Sequence, residues 1–98
     1  MEINIKHAEA LTIELTGRLD TVTSTELADA VAKETITEPL IVIDFKALEY
    51  ISSAGLRVLL ALKKQFSEDN KEMEIHNVND VIMEVFKVTG FINILTVK

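Results

Sequence analysis

Residues 40–66 read LIVIDFKALEYISSAGLRVLLALKKQF, and the apolar period changes within them. Leu40 to Ile43, continuing to Phe45, is an almost unbroken apolar and β-branched run, which predicts a strand buried on both faces. From Leu56 onward the apolar residues fall at Leu56, Leu59, Leu60, Leu62 and Phe66, a spacing that predicts a helix with one broad buried face. Between the two lie Ser52, Ser53, Ala54 and Gly55, small residues and hydroxyls placed where the helix begins. The first turn of a helix has backbone N–H groups without intrahelical partners and the positive end of the helix dipole. A serine at this junction has two uses, which are compatible. One is N-capping, contributing about 1 kcal/mol. The other is to carry a phosphate, whose charge of about −1.5 to −2 would sit against those N–H groups.

The flanking sequence supplies a single α/β domain around this unit. Ile3 and Ile5 alternate with Asn4 and Lys6. After a turn at His7 to Ala10, Leu11, Ile13 and Leu15 alternate with Thr12, Glu14 and Thr16, which predicts an antiparallel hairpin. Gly17 ends the alternation. Thr23 and Glu26 have the spacing of a capping box, opening a helix with Leu27, Val31, Ala28 and Ala30 inward that ends before Pro39. Pro39 stands at the first position of the buried strand, where its missing N–H does least harm. Beyond the Ser-Ser helix, Ser67 to Lys71 predicts a turn and Met73 and Ile75 a short strand. Asn77 or Asn79 then caps a third helix with Val81, Val85 and Val88 inward, flanked by Ile82 and Phe86, and closing at Gly90. Phe91 to Val97 reads as a last strand. The order ββαβαβαβ requires a mixed sheet: an antiparallel N-terminal hairpin followed by parallel βαβ crossovers, with helices packed on it.

Composition bounds the function. The chain has 98 residues, enough for one domain over residues 1–98, and 48% of them are apolar. It has no cysteine, so disulfides and thiolate metal sites are excluded. A net charge of −6 argues against nucleic acid as a partner and for a partner with a basic face. No secretory leader or membrane-length apolar run is evident, so the expected location is cytoplasmic, without a membrane role. A serine hydrolase elbow is not expected, since Ile51 stands where its first glycine should be and neither His7 nor His76 is placed by sequence near Ser53. Two histidines far apart give no metal site, and three glycines at the wrong spacings give no phosphate loop or dinucleotide site, so no cofactor is expected.

The stretch Tyr50-Ile51-Ser52-Ser53-Ala54-Gly55-Leu56-Arg57-Val58-Leu59-Leu60, with Val42-Ile43-Asp44-Phe45 and Leu15-Thr16-Gly17-Arg18-Leu19-Asp20 before it, resembles the STAS domain (sulphate transporter and anti-sigma-factor antagonist). The match is best to its free-standing anti-sigma-factor antagonists. The similarity covers nearly the whole chain and implies the mixed-sheet fold already read from the periods. Counting back from Gly55-Leu56, it implies that Ser53 is the phosphoacceptor. The family commonly has Asp before that serine, and here Ser52 takes its place. The resemblance further implies a regulator with no catalysis of its own: unphosphorylated, it would bind an anti-sigma factor with serine kinase activity and so free a sigma factor for transcription. Phosphorylation of Ser53 by that kinase would release it, and a serine phosphatase would reset it. Asp20, Thr21, Asp44, Ser52, Ala54, Gly55 and Arg57 would form the partner-binding surface, and the isolated domain would be a monomer.

Several of these residues also have structural uses. Asp20 suits the loop before the first helix, Asp44 a strand end bonded to nearby N–H groups, Gly55 a close backbone approach, and Arg57 a solvated position, while Val58 lies off the apolar stripe and is available for docking. Because open α/β sheets gather their sites outside the carboxyl ends of parallel strands, Asp20, Asp44, Ser52 and Ser53 are expected on one edge. The alternative to the switch is a non-switching STAS subunit of another assembly, such as a lipid-transport ATPase complex, with Ser53 only a helix cap.

Overall fold

The computed structural model describes residues 1–98. Five strands form one sheet in sequence order: β1 (Glu2–His7), β2 (Leu11–Leu19), β3 (Leu40–Ile51), β4 (Glu72–His76) and β5 (Thr96–Val97). β1 and β2 are antiparallel and the other pairings are parallel. The helices α1 (Thr21–Ala32), α2 (Ser53–Glu68) and α3 (Asp80–Thr89) alternate with the strands, and a 3-10 turn at Phe91–Asn93 precedes β5. This is the expected mixed α/β sheet. No helix is long and apolar enough to cross a membrane.

The period-2 pattern sets which face is covered. Leu11 pairs with Ile41 and Ile41 with Met73, while Ile13 pairs with Ile43 and Ile43 with Ile75. All six are buried, and they join Leu27 and Val31 of α1, Leu56, Leu59, Leu62 and Phe66 of α2, and Ile82 and Phe86 of α3 in one core. Phe45 and Phe86 meet across it with ring centroids 6.2 Å apart. The alternate residues form the other face, where Asn4, Glu14, Asp44 and His76 lie in register across four strands. The expectation that β3 is covered on both faces is therefore corrected in part: Ile41, Ile43 and Phe45 are sealed by helices, and on the other face Val42 is buried while Leu40 and Asp44 are only half-buried. Lys6 and Glu14 form an ion pair of 3.2 Å on this open face.

Four further readings are revised. β3 continues well past Phe45, because Leu48 and Ile51 turn inward at a period of three where β2 and β3 shift register between Glu14 and Thr16 and again at Gly17. The α1 cap is Asp20, not Thr23: the Asp20 carboxylate accepts from the N–H of Val22 and Thr23, and the Thr23 hydroxyl accepts from the Asp20 N–H. The helix thus begins one turn earlier than the spacing suggests, and Thr23 serves as the N3 partner in a capping box with Asp20 rather than as the cap. Leu60 lies outside the buried stripe of α2 and is 40% exposed, whereas Val58 packs partly on the core. The expected strand over Phe91 to Val97 is mostly the 3-10 turn, leaving two residues for β5. Asn79 caps α3 and Gly90 ends it, as the spacing predicts.

At the end of the sheet away from the Ser-Ser junction, His7 joins the hairpin to the segment before β3. Its Nδ1 lies 2.7 Å from Glu38 and its Nε2 3.3 Å from Glu34. Ionised carboxylates only accept hydrogen bonds, so both ring nitrogens carry protons and the imidazolium is the bound form. The bonds to Glu38 and then Glu34 raise the His7 pKa, against a smaller opposing effect of desolvation. A raised folded pKa means the stabilisation is complete below the ordinary histidine value and is lost as pH rises through the folded value. The melting temperature of the wild type should thus fall relative to His7→Gln between about pH 6 and pH 8. Parallel pH profiles of the two proteins in thermal melts would remove His7 from this role.

Candidate functional site

Two helix N-termini meet at one edge of the sheet. Leu19 ends β2 beside Ile51, which ends β3, and the Ser52 N–H donates to the Leu19 carbonyl at 2.9 Å. Asp20 and Ser52, the next residues in each segment, are the N-caps of α1 and α2. Ser52 has extended backbone angles, and its Oγ accepts from the Gly55 N–H at 3.2 Å while its carbonyl accepts from the Leu56 N–H at 3.0 Å. The cap is thereby filled by Ser52. Ser53, at the first helical position, is exposed, and its hydroxyl is left facing solvent at the positive end of the α2 dipole.

Gly55 makes this geometry possible. A Cβ there would lie 2.7 Å from Ile51 Cγ1, 2.8 Å from the Leu19 carbonyl oxygen and 3.0 Å from Leu19 Cγ. Two of these atoms are core side-chain carbons and the third is backbone. The absent side chain therefore lets α2 start directly against the ends of β2 and β3.

At this edge it is the N-terminus of α2, not the α1 cap, that favours an anion at Ser53. The Asp20 carboxyl is held below its usual range, first by the Thr23 backbone N–H, then by the Thr23 hydroxyl, the Val22 N–H and the nearby Arg18 charge, with burial opposing them. Asp20 thus stays ionised as the α1 cap. α2 has no acidic side chain in its first turn and so keeps its dipole uncompensated.

Of the residues singled out from sequence, Asp20, Thr21, Ser52, Ser53, Ala54 and Gly55 share this edge, with Arg57 exposed one turn further along α2. Asp44 does not join them. It lies in the middle of β3 on the open face, opposite Glu14 and His76, and six strand residues lie between it and Ile51, about 23 Å of chain. Burial works to raise its pKa, but hydrogen bonds from the Asn77 amide at 3.0 Å and the Lys46 N–H at 2.9 Å outweigh it, and the net shift is downward. The carboxylate holds the bend after β4 to the middle of β3.

Sequence reasoning passed over three residues of the same edge. The Arg18 guanidinium stacks 4.2 Å over the Tyr50 ring, which is 39% exposed, and Val22 in the first turn of α1 is 70% exposed. An aromatic, a guanidinium and an exposed aliphatic near the ends of β2 and β3 compose a surface suited to protein contact. Their signal was present as an apolar residue in the first turn after a helix cap and an aromatic near the end of the strand. Both histidines lie elsewhere: His7 is bonded to Glu38 and Glu34, and His76 to Glu74 at 2.9 Å.

A family model described as Mlab, STAS domain, matches residues 5–96. A Bordetella bronchiseptica protein named anti-sigma factor antagonist BtrV is 33% identical over 95 residues, covering 97% of this chain and 69% of that protein. Among solved structures, an anti-sigma factor antagonist from Thermotoga maritima superposes with a TM-score of 0.88 at 16% identity, covering 97% of this chain and 84% of the other. The Bacillus cell fate determinant SpoIIAA in its phosphorylated form gives 0.74 at 16% identity, covering 99% and 91%.

Proposed function

Since the chain belongs to the STAS domain family, we propose that it is an anti-sigma-factor antagonist controlled by phosphorylation of Ser53. Unphosphorylated, it binds an anti-sigma factor that is also a serine kinase and so frees a sigma factor for transcription. Phosphorylation by that kinase releases it, and a serine phosphatase resets it. The protein acts by binding in the cytoplasm and carries out no catalysis itself.

The observation that carries this reading is the division of labour between the two serines. Ser52 fills the cap, so Ser53 can gain and lose a phosphate while the helix keeps its terminus. A phosphate there faces unpartnered N–H groups and the dipole, which hold the modified form folded. The same charge within a protein interface is desolvated and, if unpaired, costs several kcal/mol. Asp20, Thr21, Ser52, Ala54, Gly55 and Arg57 surround or support the switch. Asp44 stands on a different face and has no part in it.

The test is intact-mass analysis after incubation with ATP and the host's anti-sigma kinases. One added phosphate is expected on the wild type and on Ser52→Ala, and none on Ser53→Ala. A second reading, a STAS subunit held permanently in a larger assembly such as a lipid-transport ATPase complex, is favoured by Ser52 standing where the family commonly has Asp. It predicts no added phosphate and a co-purifying partner that ATP does not release.

A further inference from the structure

The third helix is apolar on two sides. Ile82 and Phe86 point into the core and are fully buried, so α3 does not seat the face expected from Val81, Val85 and Val88. That expectation is corrected, because Phe86 fills the space opposite Phe45 and fixes the rotation of the helix. Val81 and Val88 are left 68% and 78% exposed, with Val85 half-buried between them. The three fall at i, i+4 and i+7, one continuous stripe down the outside. Valine in water on a helix is unfavourable twice over: it leaves apolar area solvated, and its branched carbon gives it poor helix propensity. A surface helix ordinarily carries polar residues there.

We propose that this stripe is the docking surface for an amphipathic helix of a partner protein whose apolar face is flanked by lysine or arginine. The charge of the surface selects that occupant. Asp80 and Glu84, one turn apart, run along one side of the stripe, and neither is in an ion pair within the chain. Lys87 lies beyond them, on the side away from the valines. A second copy of this chain fits poorly. Antiparallel pairing of two α3 helices about a twofold axis at the middle of the stripe sets like flanks side by side, so Glu84 of each would face Glu84 of the other. Each copy also brings a net charge of −6. A basic-flanked helix instead supplies the two missing cations while covering the valines.

This surface is independent of the phosphoacceptor, which lies on the first turn of α2. The experiment uses the full chain with methyl-labelled valines and three synthetic 18-residue amidated peptides: a helix with a leucine stripe and lysine flanks, the same helix with glutamate flanks, and a scramble of the lysine peptide. The lysine-flanked helix is expected to shift the methyl resonances of Val81, Val85 and Val88 saturably and to bind at least tenfold more tightly than either of the others. Val88→Lys should abolish this binding. Glu84→Lys should reverse at least tenfold of the preference toward the glutamate-flanked helix, and Ser53→Ala should bind as the wild type does. The proposal is overturned by an absence of saturable shifts, by equal binding of the scramble, or by shifts centred off α3. It is equally overturned if the chain sediments as a dimer that Val88→Lys dissociates, which would make a second copy the occupant.

Discussion

Ser53→Glu should weaken binding to the anti-sigma factor proposed as its partner by about 100-fold or more, a change of about 2.7 kcal/mol, while Ser53→Ala binds nearly as well as wild type. The effect is large because a carboxylate at Ser53 is harmless in the free protein and costly in the complex. Free, it occupies the exposed first position of α2, where negative charge is favourable by a few tenths to about 1 kcal/mol. Bound, it loses water, and an unpaired charge within an interface costs about 2–5 kcal/mol. The melting temperature of Ser53→Glu is accordingly expected to equal or slightly exceed that of wild type. Calorimetric titration together with thermal melts separates the two effects. Wild-type affinity in Ser53→Glu would place Ser53 outside the interface and remove the switch.

The second large effect belongs to Gly55. Replacing glycine by alanine within a helix usually adds about 1 kcal/mol of stability. Here Gly55→Ala should instead cost about 2–3 kcal/mol and lower the melting temperature by roughly 10 °C or more, because the new methyl meets the Leu19 carbonyl and core side chains at 3.0 Å or less. The strain cannot relax locally, since the Leu19 carbonyl also accepts the Ser52 N–H. Relief requires α2 to lift from the strand ends, which displaces Ser52 and Ser53. Gly55→Ala should therefore lose partner binding as well as stability. Urea denaturation gives the sign directly, and a stabilised Gly55→Ala would contradict the close approach.

These two residues differ in how they are legible. Ser52 and Ser53 are visible in sequence because the period changes from strand to helix around them, and a helix start needs a cap. Which serine caps and which is free follows from backbone angles that only the folded junction defines. Gly55 reads as a place of close approach, but the atoms approached, Leu19 and Ile51, are set by the pairing of β2 with β3.

The sequence by itself determined the elements whose signals are local. Leu11, Ile13 and Leu15 alternate and are buried. Leu56, Leu59, Leu62 and Phe66 recur at helical spacing and are buried, and Asn79 and Gly90 bound α3 as caps do. Side-chain period and terminal hydrogen bonding are properties of a few consecutive residues, so they survive into the fold unchanged. Tertiary structure alone decided the rest. Phe86 set the rotation of α3 and turned its valine stripe outward. The register shifts at Glu14 and Gly17 carried β3 on to Ile51 and left Asp44 in mid-strand, away from Ser53. In both cases the local pattern allowed more than one face, and contacts between segments distant in the chain selected the one observed.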